Sequence, residues 1–106
     1  MYKILITSSN KYDTLKEIAL NLTNSKLSPC SYIVKDVESF YLWDKKTVSE
    51  SECLLIVKCL DRNIQDIKKV IYDSHNYDLP EIISHEFNIV SDKYKKWFDE
   101  ISEGRL

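Results

Sequence analysis

Eight consecutive residues, His75-Asn76-Tyr77-Asp78-Leu79-Pro80-Glu81-Ile82, gather an imidazole, a phenol and two carboxylates. A helix-like segment ends at His75 and a strand-like one starts at Pro80, so rigid elements would fix this mixed set of groups from both sides. Such junctions often carry function, although a plain polar connection has the same composition. Neutral imidazole is a good copper or zinc donor, which makes His75 the candidate metal ligand. One histidine makes only a weak site, so further ligands must come from the fold or from a symmetry-related copy. The alternative is a helix-terminal histidine on the last carbonyls, favoured when protonated. His85 falls in a strand-like run and reads as structural or surface.

Lys58 and Glu81 each interrupt or border an apolar strand, where an unpaired charge is costly. They would form a salt bridge, or they would line a polar cleft at a subunit boundary with Trp43 and Tyr77 as walls. A cleft built that way suits a small anionic or amphipathic ligand. Cys30, Cys53 and Cys59 are odd in number and contain no C-x-x-C spacing, which fits reduced thiols better than a disulfide framework. Cys53 and Cys59 on one strand lie about 20 Å apart, too far to share a metal within one subunit. A thiol paired with His75 would be the nucleophilic option, but no local pattern supports it. Gly104 is the only glycine, so there is no nucleophile elbow, phosphate-cradling loop or dinucleotide fingerprint. The chain is not expected to be an enzyme.

The elements that must position these groups follow from periodicity. Tyr2 to Ser8 is a short apolar strand. Ser9 and Asn10 offer cap chemistry, and Leu15, Ile18, Ala19 and Leu22 form a helical stripe that ends near Asn24, with Pro29 blocking continuation. Cys30 to Trp43 and Glu52 to Leu60 are β-like runs around Asp44-Lys45-Lys46, which predicts one long hairpin. A tight turn at Asp44 and Lys45 puts Cys30 opposite Cys59, unless a single bulge shifts the register. The outer half of so long a hairpin would expose Phe40, Tyr41 and Trp43, a patch expected at a subunit interface. Asp61 caps a second helix carrying Ile64, Ile67 and Ile71. A strand then runs from Glu81 towards Val90. Ser91 or Asp92 opens a last helix with Tyr94, Trp97, Phe98 and Ile101 inward and Lys93, Lys95 and Lys96 in water. The order β-α-β-β-α-β plus a terminal helix predicts an α+β, ferredoxin-like split βαβ fold, an antiparallel sheet with helices on one face.

The chain has 106 residues, 43% hydrophobic and 30% charged, with a net charge of −2. That predicts a single domain spanning 1–106 with a core of its own. The balance of charge argues against broad nucleic-acid binding, and no apolar run reaches the roughly 18 residues of a membrane span. The first residues read as a strand rather than a signal peptide, so a cytoplasmic location is expected.

In this order, Lys26-Leu27-Ser28-Pro29-Cys30, Phe40-Tyr41-Leu42-Trp43-Asp44, Leu54-Leu55-Ile56-Val57-Lys58, the 75–82 segment and Tyr94-Lys95-Lys96-Trp97 together resemble the CutA divalent-cation-tolerance family. The resemblance spans nearly the whole chain. It implies a homotrimer assembled through the long hairpin, involvement in the response to metal ions, chiefly copper, and direct copper binding in some members. It equally implies a likeness to P-II-like signalling trimers, which bind small ligands between subunits; under that alternative any metal role is indirect. Three departures stand out. Lys45 replaces the family's usual hairpin glycine, at a cost of about 1 kcal/mol if its φ is positive. Asn76 replaces a proline between His75 and Tyr77. The first-strand cysteine of some copper-binding relatives has no counterpart in Leu5-Ile6-Thr7-Ser8, which removes one copper ligand of the family route.

Overall fold

Strand β1 (Tyr2–Ser9) sits inside a four-stranded sheet ordered β2-β3-β1-β4, with β2 at Cys30–Trp43, β3 at Lys46–Leu60 and β4 at Ile83–Phe87. Every neighbouring pair is antiparallel. Helix α1 (Tyr12–Asn24) links β1 to β2, a short 3-10 turn (Asp61–Asn63) and α2 (Ile64–Ser74) link β3 to β4, and α3 (Asp92–Ser102) closes the chain. This is the predicted α+β, ferredoxin-like order, and the computed structural model describes residues 1–104 of it.

The period-2 alternation of the strands divides the sheet into two faces. Leu5, Leu55, Val57 and Cys59 point to the side covered by α1 and α2, where they meet Leu15, Ile18, Leu22, Ile67 and Ile71; each of the nine is at most 1% exposed. Full burial of an aliphatic side chain contributes about 1.5–3 kcal/mol, so this layer holds the sheet and both helices together. Helices were expected on one face only, but α3 crosses to the other. Its fully buried Phe98 packs edge-on against Tyr2 at 5.6 Å and Phe87 at 6.3 Å between ring centroids. Tyr2 Oη then donates to Asp99 Oδ1 at 2.7 Å. The aromatic stripe on α3 finds its apolar partners at the start of β1 and at the end of β4.

Local chemistry explains where elements stop. The Lys26 N–H bonds Thr23 O and the Leu27 N–H bonds Leu22 O, a Schellman ending for α1 with Lys26 at φ 62° where glycine is usual. Ser91 caps α3 by accepting from the Tyr94 N–H. The strand expected over 81–90 is shorter, Ile83–Phe87, because pairing with β1 runs only from Ile6 to Tyr2. Glu81 therefore belongs to the preceding loop.

One long hairpin forms as predicted, but β3 begins at Lys46 rather than at the expected Glu52. Pairing of β1 with β3 ends at Ser9 and Cys53, so beyond that point β2 and β3 have only each other and project as a free ribbon. Trp43 pairs with Lys46 around Asp44 and Lys45, whose φ values of 50° and 64° match a two-residue type I′ turn. A bulge between Val34 and Val37, with Asp36 at φ 60°, shifts the register by one. Cys30 consequently faces Lys58, not Cys59. One step of register moves a residue to the opposite face, which leaves Cys59 in the core and Cys30 on the other side; both are free thiols.

Candidate functional site

The 75–77 segment is tied down where β1 gives way to α1. Ser9 Oγ donates to Asn76 Oδ1 at 2.5 Å and accepts from the Lys11 N–H, while Asn76 Nδ2 donates to Asn10 Oδ1. His75 Nε2 lies 2.9 Å from the Ser8 carbonyl and must carry the proton that bonds it. Nδ1 accepts from the Tyr77 N–H at 3.0 Å. Both ring nitrogens are thus engaged. Burial lowers the His75 pKa below the ordinary histidine value, against the opposing pull of the Ser8 carbonyl and Glu52. Any metal at Nδ1 must displace the Tyr77 amide. Among the described residues no three His, Cys, Asp or Glu side chains come together to hold a metal ion.

Tyr77 reaches from this anchor to the hairpin. Its hydroxyl accepts from the Asn10 N–H at 2.8 Å and donates to Glu52 Oε2 at 2.7 Å, with Glu50 Oε1 at 3.2 Å. Ser39 Oγ donates to the other oxygen of Glu52 at 2.5 Å. Glu52 is only 8% exposed, yet its carboxylate receives two hydroxyl protons, which is how a buried charge is tolerated. Burial and the neighbouring Glu52 hold the Tyr77 phenol protonated well above the usual tyrosine range. Tyr41 is raised as well, by desolvation and then by Glu50 and Glu52.

Around this phenol–carboxylate centre lies an open cleft of about 850 Å³ between the hairpin and the 76–81 loop. Trp43, Tyr77 and Glu81 line it; Glu50, Glu52 and Asp78 complete an acidic lining, to which no Lys or Arg among the described residues contributes. Glu50 and Glu52 were not singled out from sequence. Their spacing of two on one strand was the available signal, but only the loop brings Tyr77 to them.

Lys58 does not join this cleft. It lies farther along β3, where Nζ donates to Tyr94 Oη at 2.8 Å and Tyr32 Oη at 3.1 Å. Both rings also lie beneath it, at 4.7 Å for Tyr32 and 5.0 Å for Tyr94. The expected Lys58–Glu81 pair is not formed, because the two sit at different ends of the sheet. Without Lys58 the cleft loses the cation that made an anionic ligand attractive. Phe40, Tyr41 and Trp43 are exposed on the ribbon, 66%, 39% and 57% respectively, together with Leu42.

Comparison with known proteins places this architecture. The family model described as CutA1 divalent ion tolerance protein matches residues 3–101. Protein CutA, chloroplastic, of Arabidopsis thaliana is 34% identical over 94 residues, 89% of this chain and 51% of its own length. The chain thus spans about half the length of the plant relatives it matches. The divalent-cation tolerance protein CutA of Thermus thermophilus is 26% identical, with 94% of this chain and 97% of that protein covered. The crystal structure of CutA1 from Oryza sativa superposes with a TM-score of 0.90 at 26% identity, covering 95% of this chain and 93% of that one. The family model and the superposed structure cover nearly the whole chain, and the chain belongs to the CutA1 divalent ion tolerance family.

Proposed function

We propose that this chain works as a cytoplasmic homotrimer in the response to divalent metal ions. The observation that carries the assembly is the sheet face left open by α1 and α2. Ile4, Ile6, Leu54 and Ile56 are only partly covered there, and Tyr32, Val34 and Ile83 are more exposed still, at 54%, 41% and 54%. The aromatic ribbon extends beyond this face. A continuous apolar surface of this kind is suited to burial against other copies, and heterologous contacts that close under rotation give a ring. The number three comes from the family resemblance. Light scattering should return three subunit masses, and a stable monomer would defeat the assembly.

Within the trimer, direct copper contact would run through His75 Nδ1 after release of the Tyr77 amide, with other ligands supplied by neighbouring copies. Calorimetric titration of copper into thiol-blocked protein, with zinc for comparison, tests this. Saturable binding that vanishes in His75→Ala supports the direct role. The acidic cleft favours a second reading, a small-ligand or partner-binding module of P-II-like type with an indirect metal role. Four carboxylates against aromatic walls suit a cation or an amine rather than the anion first expected. Absence of copper binding, together with ligand-dependent protection of Trp43, Tyr77 and Glu81, would select that reading.

A further inference from the structure

Cross-strand register lines up one row of side chains on the open sheet face. Ile4 pairs with Lys58 on one side and with His85 on the other. Directly paired residues share a face, so an ammonium and an imidazole flank Ile4, and Ile56, Ile6 and Ile83 form the next row. Two strand spacings separate Lys58 from His85, about 10 Å. His85 Nδ1 lies 2.6 Å from the Glu86 carbonyl, which only accepts, so the proton of the neutral ring sits there. Nε2 is the atom that takes up a second proton, and among the described residues it has no hydrogen-bond partner. In the single subunit His85 is exposed.

We propose that His85 makes the assembly of this chain pH-sensitive: the neutral ring is accommodated between copies, and the protonated ring opposes their association. The inference rests on the assembly proposed above, which buries this face. Histidine is the side chain whose ordinary titration falls between pH 5 and 8. Burial among isoleucines removes the water that solvates an imidazolium, which disfavours the charged form. The groups facing the ring do not offset that loss. Glu86, on its own strand, is bonded by Lys3 at 3.3 Å and attracted by the Met1 amine. From β3, beyond Ile4, Lys58 brings a like charge; Tyr32 of β2 and Tyr94 of α3 hold that ammonium through neutral phenols. The assembled form therefore binds fewer protons than the separated subunits, and falling pH shifts the equilibrium towards separation.

The test is light scattering of the native chain and His85→Gln from pH 8 to pH 5 across a dilution series, with NMR of the imidazole on the native samples. If the ring is held neutral in the trimer, each subunit contributes a factor of about eleven at one pH unit below the ordinary histidine value, so the trimer dissociation constant should rise roughly a thousandfold. His85→Gln should abolish that rise. In the native trimer the His85 ring should stay neutral to a lower pH than an ordinary histidine, a reading that needs no variant and also serves where the trimer is too tight to separate. An equal rise in His85→Gln overturns the proposal. So does a trimer in which the ring takes up its proton at or above the ordinary pH; a carboxylate of a neighbouring copy at Nε2 would produce that result. A single-subunit mass at pH 8 overturns the assembly and this inference with it, whereas the other failures leave the assembly standing.

Discussion

Replacing Tyr77 by Phe removes a single oxygen from a residue that joins the 75–77 segment, the end of β1 and the hairpin. That oxygen accepts from the Asn10 N–H and donates to Glu52 at 2.7 Å. A hydrogen bond to a charged group contributes about 1.5–3 kcal/mol, and Glu52, at 8% exposure, has little water to replace it. Ser39 still serves one carboxylate oxygen, and the Asn10 amide is near solvent, so the loss should fall close to the middle, about 2 kcal/mol. The Phe ring retains the 5.0 Å contact with His75, which keeps packing out of the difference. Urea unfolding at one fixed protein concentration is the assay, because association makes apparent stability concentration-dependent. With a slope of about 1–3 kcal/mol per molar, the midpoint should drop by roughly 1 M. Glu50→Gln serves as the control, because Glu50 stands at the longer distance of 3.2 Å and should change stability by less than about 0.5 kcal/mol. A Tyr77→Phe protein indistinguishable from that control would refute the idea that the phenol holds a buried carboxylate in place.

Three further outcomes follow from the same geometry. His75 has a lowered pKa, so its contribution is fully present above the ordinary value of about 6.5 and is lost as pH falls from there through the folded value; urea midpoints should decline over that window, and His75→Gln should flatten the decline. Burial pushes the Cys59 thiol up to about 12, so native protein at pH 8 should react with a thiol reagent at no more than Cys30 and Cys53, and the third thiol should appear only in denaturant. Lys45 holds φ 64° in the hairpin turn, and Lys45→Gly should raise stability by about 0.5–1 kcal/mol, read as a higher urea midpoint.

The order of elements was legible in the sequence because it depends on local periodicity. The helical stripes Leu15-Ile18-Leu22 and Ile64-Ile67-Ile71, the caps around Ser91 and the alternation in 52–60 each require only neighbours along the chain. The exposed aromatics of the hairpin were legible for the same reason: the run is simply longer than β1 can cover. His75, Tyr77 and Glu81 were named from composition at a junction, and Trp43 from the aromatic run of the hairpin. Their company was decided by tertiary structure. A bulge at 34–37 carries no strong sequence mark, yet it shifted the register so that Cys30 meets Lys58 and Cys59 enters the core. Lys58 and Glu81 looked like partners because both interrupt apolar runs, but they stand at opposite ends of the sheet. Tyr94 arrives from α3, whose place on the far face depends on where Tyr2 and Phe87 leave room for Phe98. Periodicity along a chain fixes which side of its own element a residue occupies. Which residue of another element stands there is a matter of register and packing between segments far apart in sequence, and those exist only once the chain has folded.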